Sequence, residues 1–379
     1  MKKYYFAILG FGVLLLGCAV EKNLQDPLAI VLSSDQPNIK RVIDSVELFD
    51  VQIQYTQIDR RNDSIILTDY HFQSDDSNYF YPASTVKFPI AVLALEKLNR
   101  IDTLSRENIF YLEGDSLENS FAQDISKIFA VSDNHANNRL LEFLGQDAIN
   151  DGLGEKGIKP VRISHRLGYH TDDVTTKPLV IYLNDSTTTV TQPIINREPR
   201  PLELIKIKKG RGYYANDSLM LEPFDFSLKN YYPVSAQHAV LKRVIFPELF
   251  QEKERFKLAP SQREFLLNAM HTLPRQLGYD TEEYYDGYCK FFMYGDSQER
   301  IPDTIKIYNK VGFAYGTLTD CAYIEDSAND IEFLLTATIL VNSDQIFNDD
   351  NYEYNEIGIP FLAELGRQLY ALELNRKNK

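Results

Sequence analysis

Apolar residues recur at helical spacing through Ile39, Val42, Ile43, Val46 and Leu48, which predicts a helix over residues 34–49. Past it, residues 51–58 and 65–70 read as two strands of a hairpin that turns at Asn62-Asp63. Near the other end, residues 305–311, 319–325 and 331–341 predict three more strands, and residues 357–374 a closing helix. Strand-forming segments therefore sit at both ends of a middle that reads mainly as helical, so strands from the two termini must share one sheet. Residues 88–95 (Phe-Pro-Ile-Ala-Val-Leu-Ala-Leu) carry no polar position, which predicts a helix buried on all sides.

One stretch breaks the helical middle. Residues 179–183 and 187–191, separated by Asn184-Asp185, predict a hairpin, and residues 204–208 followed by Gly210-Arg211-Gly212 predict another strand and turn. Residues from about 169 to 230 are read as an insertion, within one domain spanning 34–379, that rebuilds one wall of the functional site. Lys206, Lys208, Lys209 and Arg211 form a basic cluster there, readable as a charged, protected strand edge or as an anion-binding patch.

The first residues bear on address. Lys2-Lys3, an apolar run over residues 4–16 and then Gly17-Cys18 read as a secretory signal ending in a lipoprotein box. The run is too short to span a bilayer comfortably. The expectation is a signal peptide over 1–17, acylation of Cys18, and a tether over 18–33 that holds the domain off the membrane, facing the periplasm or the cell exterior. An ordinary signal peptide and an uncleaved anchor are the alternatives. Loss of Lys2 and Lys3 takes the formal charge from −14 to −16, which argues against binding to nucleic acid, since phosphate backbones need clustered cations. Cys289 and Cys321 would then occupy a compartment that permits disulfides, and the sequence leaves their pairing open. The six histidines form no metal-ligand spacing, so no metal or other cofactor is implied.

The candidate chemistry begins at Ser84-Thr85-Val86-Lys87. A serine and a lysine three apart share a helix face, and a lysine at the mouth of a buried helix loses proton affinity and becomes able to take the hydroxyl proton. Two further motifs follow: Ser132-Asp133-Asn134 in a loop entering a helix, and Lys310-Val311-Gly312 between two strands. Together they resemble the class A β-lactamases and their penicillin-binding relatives, whose signatures are S-x-x-K, S-D-N and K-T-G. The resemblance implies an α/β (α+β) fold, with an antiparallel sheet flanked by helices, a second, mostly helical lobe, and a site at their boundary. It also implies roles: Ser84 as nucleophile, Lys87 as proton acceptor and Ser132 as proton relay to the leaving group. Asn134 would hold a substrate amide, and Lys310 and Gly312 would border an anionic substrate. The backbone N–H groups of Ser84 and Phe313 would form an oxyanion hole worth roughly 3 kcal/mol per donor. Asp133 reads as a structural bridge.

Departures from the pattern limit what is implied. Residues 161–168 resemble the run leading to the glutamate that positions the deacylating water in class A enzymes, yet no acid stands where it is expected; His165, Asp172 and Asp173 are the nearby substitutes. Val311 replaces a hydroxyl residue, and Phe313 places a ring where a small residue is usual. Three readings stay open: a hydrolase acting on β-lactams or related amides and esters, a penicillin-binding or peptidoglycan-directed enzyme that deacylates slowly, and a catalytically idle binding lipoprotein. Oligomeric state is not legible.

Overall fold

The computed structural model describes residues 26–62, 64–168 and 173–377, so the expected signal peptide and Cys18 lie outside the described residues. It opens with two short helices, α1 (Pro27–Leu32) and α2 (Pro37–Ile43), each with proline in its first turn, where a missing N–H costs no helical bond. Leu28, Val31 and Leu32 are buried. Residues 27–32, expected within the tether, are instead packed on the domain, and the Asp26 carboxylate caps α1 by accepting from Leu28 N at 2.8 Å. The single helix expected over 34–49 is also corrected: α2 stops at Ile43 and a separate 3-10 turn covers Val46–Leu48. Asp44-Ser45 between them are residues whose side chains compete with helical hydrogen bonds.

The predicted hairpin is β1 (Gln52–Arg61) and β2 (Ser64–Phe72), with Asn62 at φ 54° in the turn. Next come α3 (Lys87–Leu98), the short strands β3 (Ile109–Leu112) and β4 (Asn119–Ser120), and the helices α4 (Phe121–Ala130), α5 (Asn134–Leu144) and α6 (Gln146–Glu155). Within the expected insertion lie β5 (Leu179–Asn184), β6 (Thr187–Val190), β7 (Lys208–Lys209), β8 (Gly212–Ala215), β9 (Ser218–Met220) and β10 (Phe224–Asp225). The chain closes with α7 (Val234–Ile245), α8 (Pro260–His271), a kinked turn α9 (Phe291–Tyr294), β11 (Ile305–Ala314), β12 (Thr317–Asp326), β13 (Ile331–Leu340), β14 (Ile346–Phe347) and α10 (Ile359–Lys377).

Strands from both ends do share one sheet, ordered β11-β12-β13-β1-β2 and antiparallel throughout. Period-two alternation separates two cores. Tyr308, Cys321, Tyr323 and Leu334 face the helices α3 to α8, whereas Ile307, Val311, Ala322, Ile324, Phe333 and Leu335 face α1, α2 and α10. Both faces of the sheet are covered, which is why its central strands are apolar on both sides.

The predicted hairpin at 179–191 is present as β5–β6, but it belongs to a four-stranded sheet, β4-β3-β5-β6, inside the lobe read as helical. The strand expected over 204–208 shrinks to β7, paired with β10, and the hairpin β8–β9 was not foreseen. The basic cluster is spent internally: Lys206 and Lys209 both sit on Asp50, Lys208 reaches Asp225, and Arg211 donates to the Asp344 carbonyl. Cys289 and Cys321 are buried free thiols.

Candidate active site

Ser84 lies in a 3-10 turn, Ala83–Val86, that feeds directly into α3. The turn is held by Thr85, whose hydroxyl donates to the Pro82 carbonyl at 2.7 Å, and it requires Ala83 at φ 47°, a conformation that side chains other than glycine adopt at a cost. Pro89 is tolerated because it falls in the first turn of α3. From the other lobe, β11 comes against this turn at Gly312. A Cβ there would stand 2.7 Å from Ser84 N and 2.9 Å from Pro82 O and Thr85 N, all backbone atoms, so only glycine fits.

The Ser132 hydroxyl joins the two lysines. It accepts from Lys310 Nζ at 2.8 Å and from Lys87 Nζ at 3.2 Å, and Lys87 also donates to Asn134 Oδ1 at 2.7 Å and to the Ser132 carbonyl. Ser132 adopts φ 56°, and Asp133 caps α5 by accepting from Ala136 N at 2.8 Å. The three-residue motif thus turns the chain and starts a helix in one stroke, and Asp133 is structural as expected. Lys87 is 0% exposed. Burial, with the Lys310 charge next, holds its amine well below the usual lysine value, against weaker opposing effects of Cys289 and Asp133. Burial also lowers Lys310 to about 8, against the raising influence of Cys289 and Asp320. Among the described residues no hydrogen bond engages Ser84 Oγ, which faces an open cavity.

That cavity measures about 390 Å³ and is lined by Ser84, Asn134, His165, Phe313, Tyr315 and Tyr354, among others. Lys87, Ser132 and Lys310 are off this lining and reach it through Asn134. Phe313 is on this lining; it is 52% exposed and packs edge-on to Tyr354 at 5.4 Å. Val311 has its side chain in the opposite core, away from the cavity, so the position takes an apolar residue for packing.

His165 lines the cavity yet has no free lone pair. Its Nδ1 bonds the Arg166 carbonyl at 2.5 Å and its Nε2 accepts from Asn230 N at 3.2 Å, which fixes the neutral tautomer; burial lowers it to about 4. Asp173 accepts from Thr175 N, and its carbonyl receives Arg166. His165 cannot act as a base without breaking its bonds, Asp173 is not on the cavity lining, and Asp172 lies outside the described residues. The insertion was expected to rebuild a wall of the site. Among its described residues only Lys229 reaches the lining, and the wall is instead made by Tyr315 and by Asn348, Asp350, Tyr352 and Tyr354 ahead of α10. The tyrosine-rich run 352–354 was the signal available in the sequence. Its distance from every motif hid it.

Two lobes thus meet at a serine turn, with a lysine at its base and a second lysine on the edge strand. Residues 38–193 match the family described as beta-lactamase enzyme family. A variant of the last common ancestor of Gram-negative class A β-lactamases, bound to a nitrobenzotriazole, has the same fold: 15% identity, TM-score 0.51, covering 92% of this chain and 97% of its own. L2 complexed with relebactam gives 15% identity and TM-score 0.50 over 92% and 98%. Proteins of curated function give no match. The match over residues 38–193 and the shared fold agree with the resemblance read from the three motifs.

Proposed function

We propose that this chain is a cell-envelope serine hydrolase that forms an acyl-enzyme at Ser84 with β-lactams or related amides and esters. The observation that carries the reading is the Ser132 hydroxyl bridging Lys87 and Lys310 beside Ser84. In this scheme Lys87, its proton affinity lowered by burial, acts in its deprotonated form and takes the Ser84 proton as Oγ bonds to the substrate carbonyl carbon. The proton passes through Ser132 to the leaving nitrogen or oxygen as its bond to carbon breaks. Asn134 holds the substrate amide, Lys310 and Gly312 border the anionic end, and the Ser84 and Phe313 N–H groups receive the oxyanion.

A specific observation favours the slow-deacylating, penicillin-binding variant of this reading. Both ring nitrogens of His165, the one histidine on the cavity lining among the described residues, are engaged, so it supplies no base, and Asp350, on the wall ahead of α10, is the one lining carboxylate left to do so. General-base assistance contributes typically about 10²–10⁴-fold, so its loss lengthens the acyl-enzyme lifetime by that order. The test is intact-mass spectrometry after exposure to a penicillin. The expected result is a one-equivalent adduct that lasts for minutes and is absent in Ser84→Ala. Turnover without an adduct removes the slow-deacylation variant. Neither adduct nor turnover, or an adduct that survives Ser84→Ala, removes the serine assignment.

A further inference from the structure

Behind the edge strand, on the face away from Ser132, lies a second set of buried polar groups that the scheme above does not use. Lys290 is 1% exposed and its ammonium donates to Asn309 Oδ1 at 2.6 Å and to the Met270 carbonyl at 2.8 Å. The Asn309 amide in turn donates to Asp320 Oδ1 at 2.8 Å and to the Cys289 carbonyl at 2.9 Å. Asp320, 0% exposed, takes its remaining bonds from the backbone N–H groups of Phe291 at 3.1 Å and Phe292 at 3.3 Å. Lysine and aspartate are almost never buried this fully unless paired. Here the two charges do not touch but are joined through one asparagine side chain, and that asparagine precedes Lys310 on β11.

We propose that Lys290, Asn309 and Asp320 form a buried charge network that positions Lys310 and fixes its charge from behind the sheet, setting the pH range over which Ser84 is acylated. The kinetic part rests on the acyl-enzyme reading; the charge on Lys310 does not. Facing Lys310 are Lys87 and the Ser132 hydroxyl from the helical lobe, Cys289 from the segment before α9, and Asp320 from β12. Facing Lys290 are His271, Cys289, Asp320 and, across the strand, Lys310. Asp320 is the one carboxylate in either set. Burial raises it, opposed by the Asn309 amide, the Phe292 N–H and the two lysines, to about 6, so it is mostly ionised at neutral pH. Its charge raises Lys310 against the burial that lowers it. Lys290, lowered by burial to about 8, is the like charge that shares this counter-ion.

The sign follows from the charges. Asp320→Asn removes the anion, so Lys310 loses its proton at lower pH. Lys290→Met removes the competing cation and leaves Asp320 to Lys310, so Lys310 holds its proton to higher pH. The experiment is an NMR titration of the full domain labelled with 13C at the lysine ε-carbon, with the Lys310 signal assigned by its disappearance in Lys310→Met. Asp320→Asn is expected to lower the Lys310 midpoint by about one pH unit, and Lys290→Met to raise it. The alkaline limb of the Ser84 acylation rate should move in the same two directions. Opposite shifts separate this role from simple structural support, which lowers the melting temperature of both variants without moving the midpoint. If Asp320→Asn fails to fold, Lys290→Met carries the test alone. An unchanged Lys310 midpoint, or movement in one direction for both variants, overturns the proposal. Midpoints that move as expected without any acylation of wild type overturn only the serine reading.

Discussion

Gly312→Ala perturbs the point where the two lobes meet. The added methyl would sit 2.7 Å from Ser84 N, whereas ordinary van der Waals contact begins at 3.4 Å, so the strand or the turn must yield by 0.7 Å. The other near atoms, Pro82 O and Thr85 N at 2.9 Å, are also backbone, so no side-chain rotation relieves the clash. Overpacking of this kind costs about 1–3 kcal/mol. A kinetic effect of similar size adds to the loss of stability, because the displaced atoms include the proposed oxyanion donor of Ser84. A misplacement of about 1 Å costs on the order of 10²-fold, which scales to about 25-fold for the shift required here. Stopped-flow acylation by a chromogenic cephalosporin, alongside thermal unfolding, measures both. The expected variant is folded, modestly less stable and about 10–100-fold slower to acylate. Acylation within twofold of wild type would refute the argument that this glycine sets the distance between β11 and the nucleophile turn.

Three further outcomes follow from buried charges and from the N-terminus. Glu142 and Arg166, each 3% exposed, are joined by two bonds of 2.5 and 2.9 Å, and Arg166 also ties down the Thr175 carbonyl at 2.8 Å, so Glu142→Ala should cost about 3–5 kcal/mol in urea unfolding by stranding a buried guanidinium. Burial holds His165 at about 4 and His238 at about 3, below the ordinary 6.5, so the unfolded chain takes up protons first. Their contribution is full above 6.5 and is lost as pH falls toward 4 and 3; by pH 5 the loss is about 2 kcal/mol for each histidine, read as a falling urea midpoint, and a flat midpoint from pH 7 to 5 would contradict it. Cys18→Ser should release the protein from the membrane fraction or block its processing, and unchanged fractionation would end the lipid-anchor proposal.

The sequence alone determined the strands that alternate or run apolar, the buried helix after Ser84, and the three polar motifs, because each is a local pattern whose periodicity or spacing survives without tertiary context. Asp133 read as a structural bridge and proves to be a helix cap, structural but local. Tertiary structure alone decided the rest. That Val311 faces the far core while Phe313 faces the cavity depends on how β11 sits between two lobes. That His165 is locked depends on Asn230, 65 residues away. The aromatic wall at residues 352–354 meets the site only because α10 packs back on the sheet. The network behind Lys310 shows the same limit: Lys290 sits in an apolar, aromatic run, and its partners lie 19 residues away at Asn309 and 20 residues away at Met270. Burial of a charge is satisfied by whatever the fold brings alongside, and spacing along the chain carries no record of it.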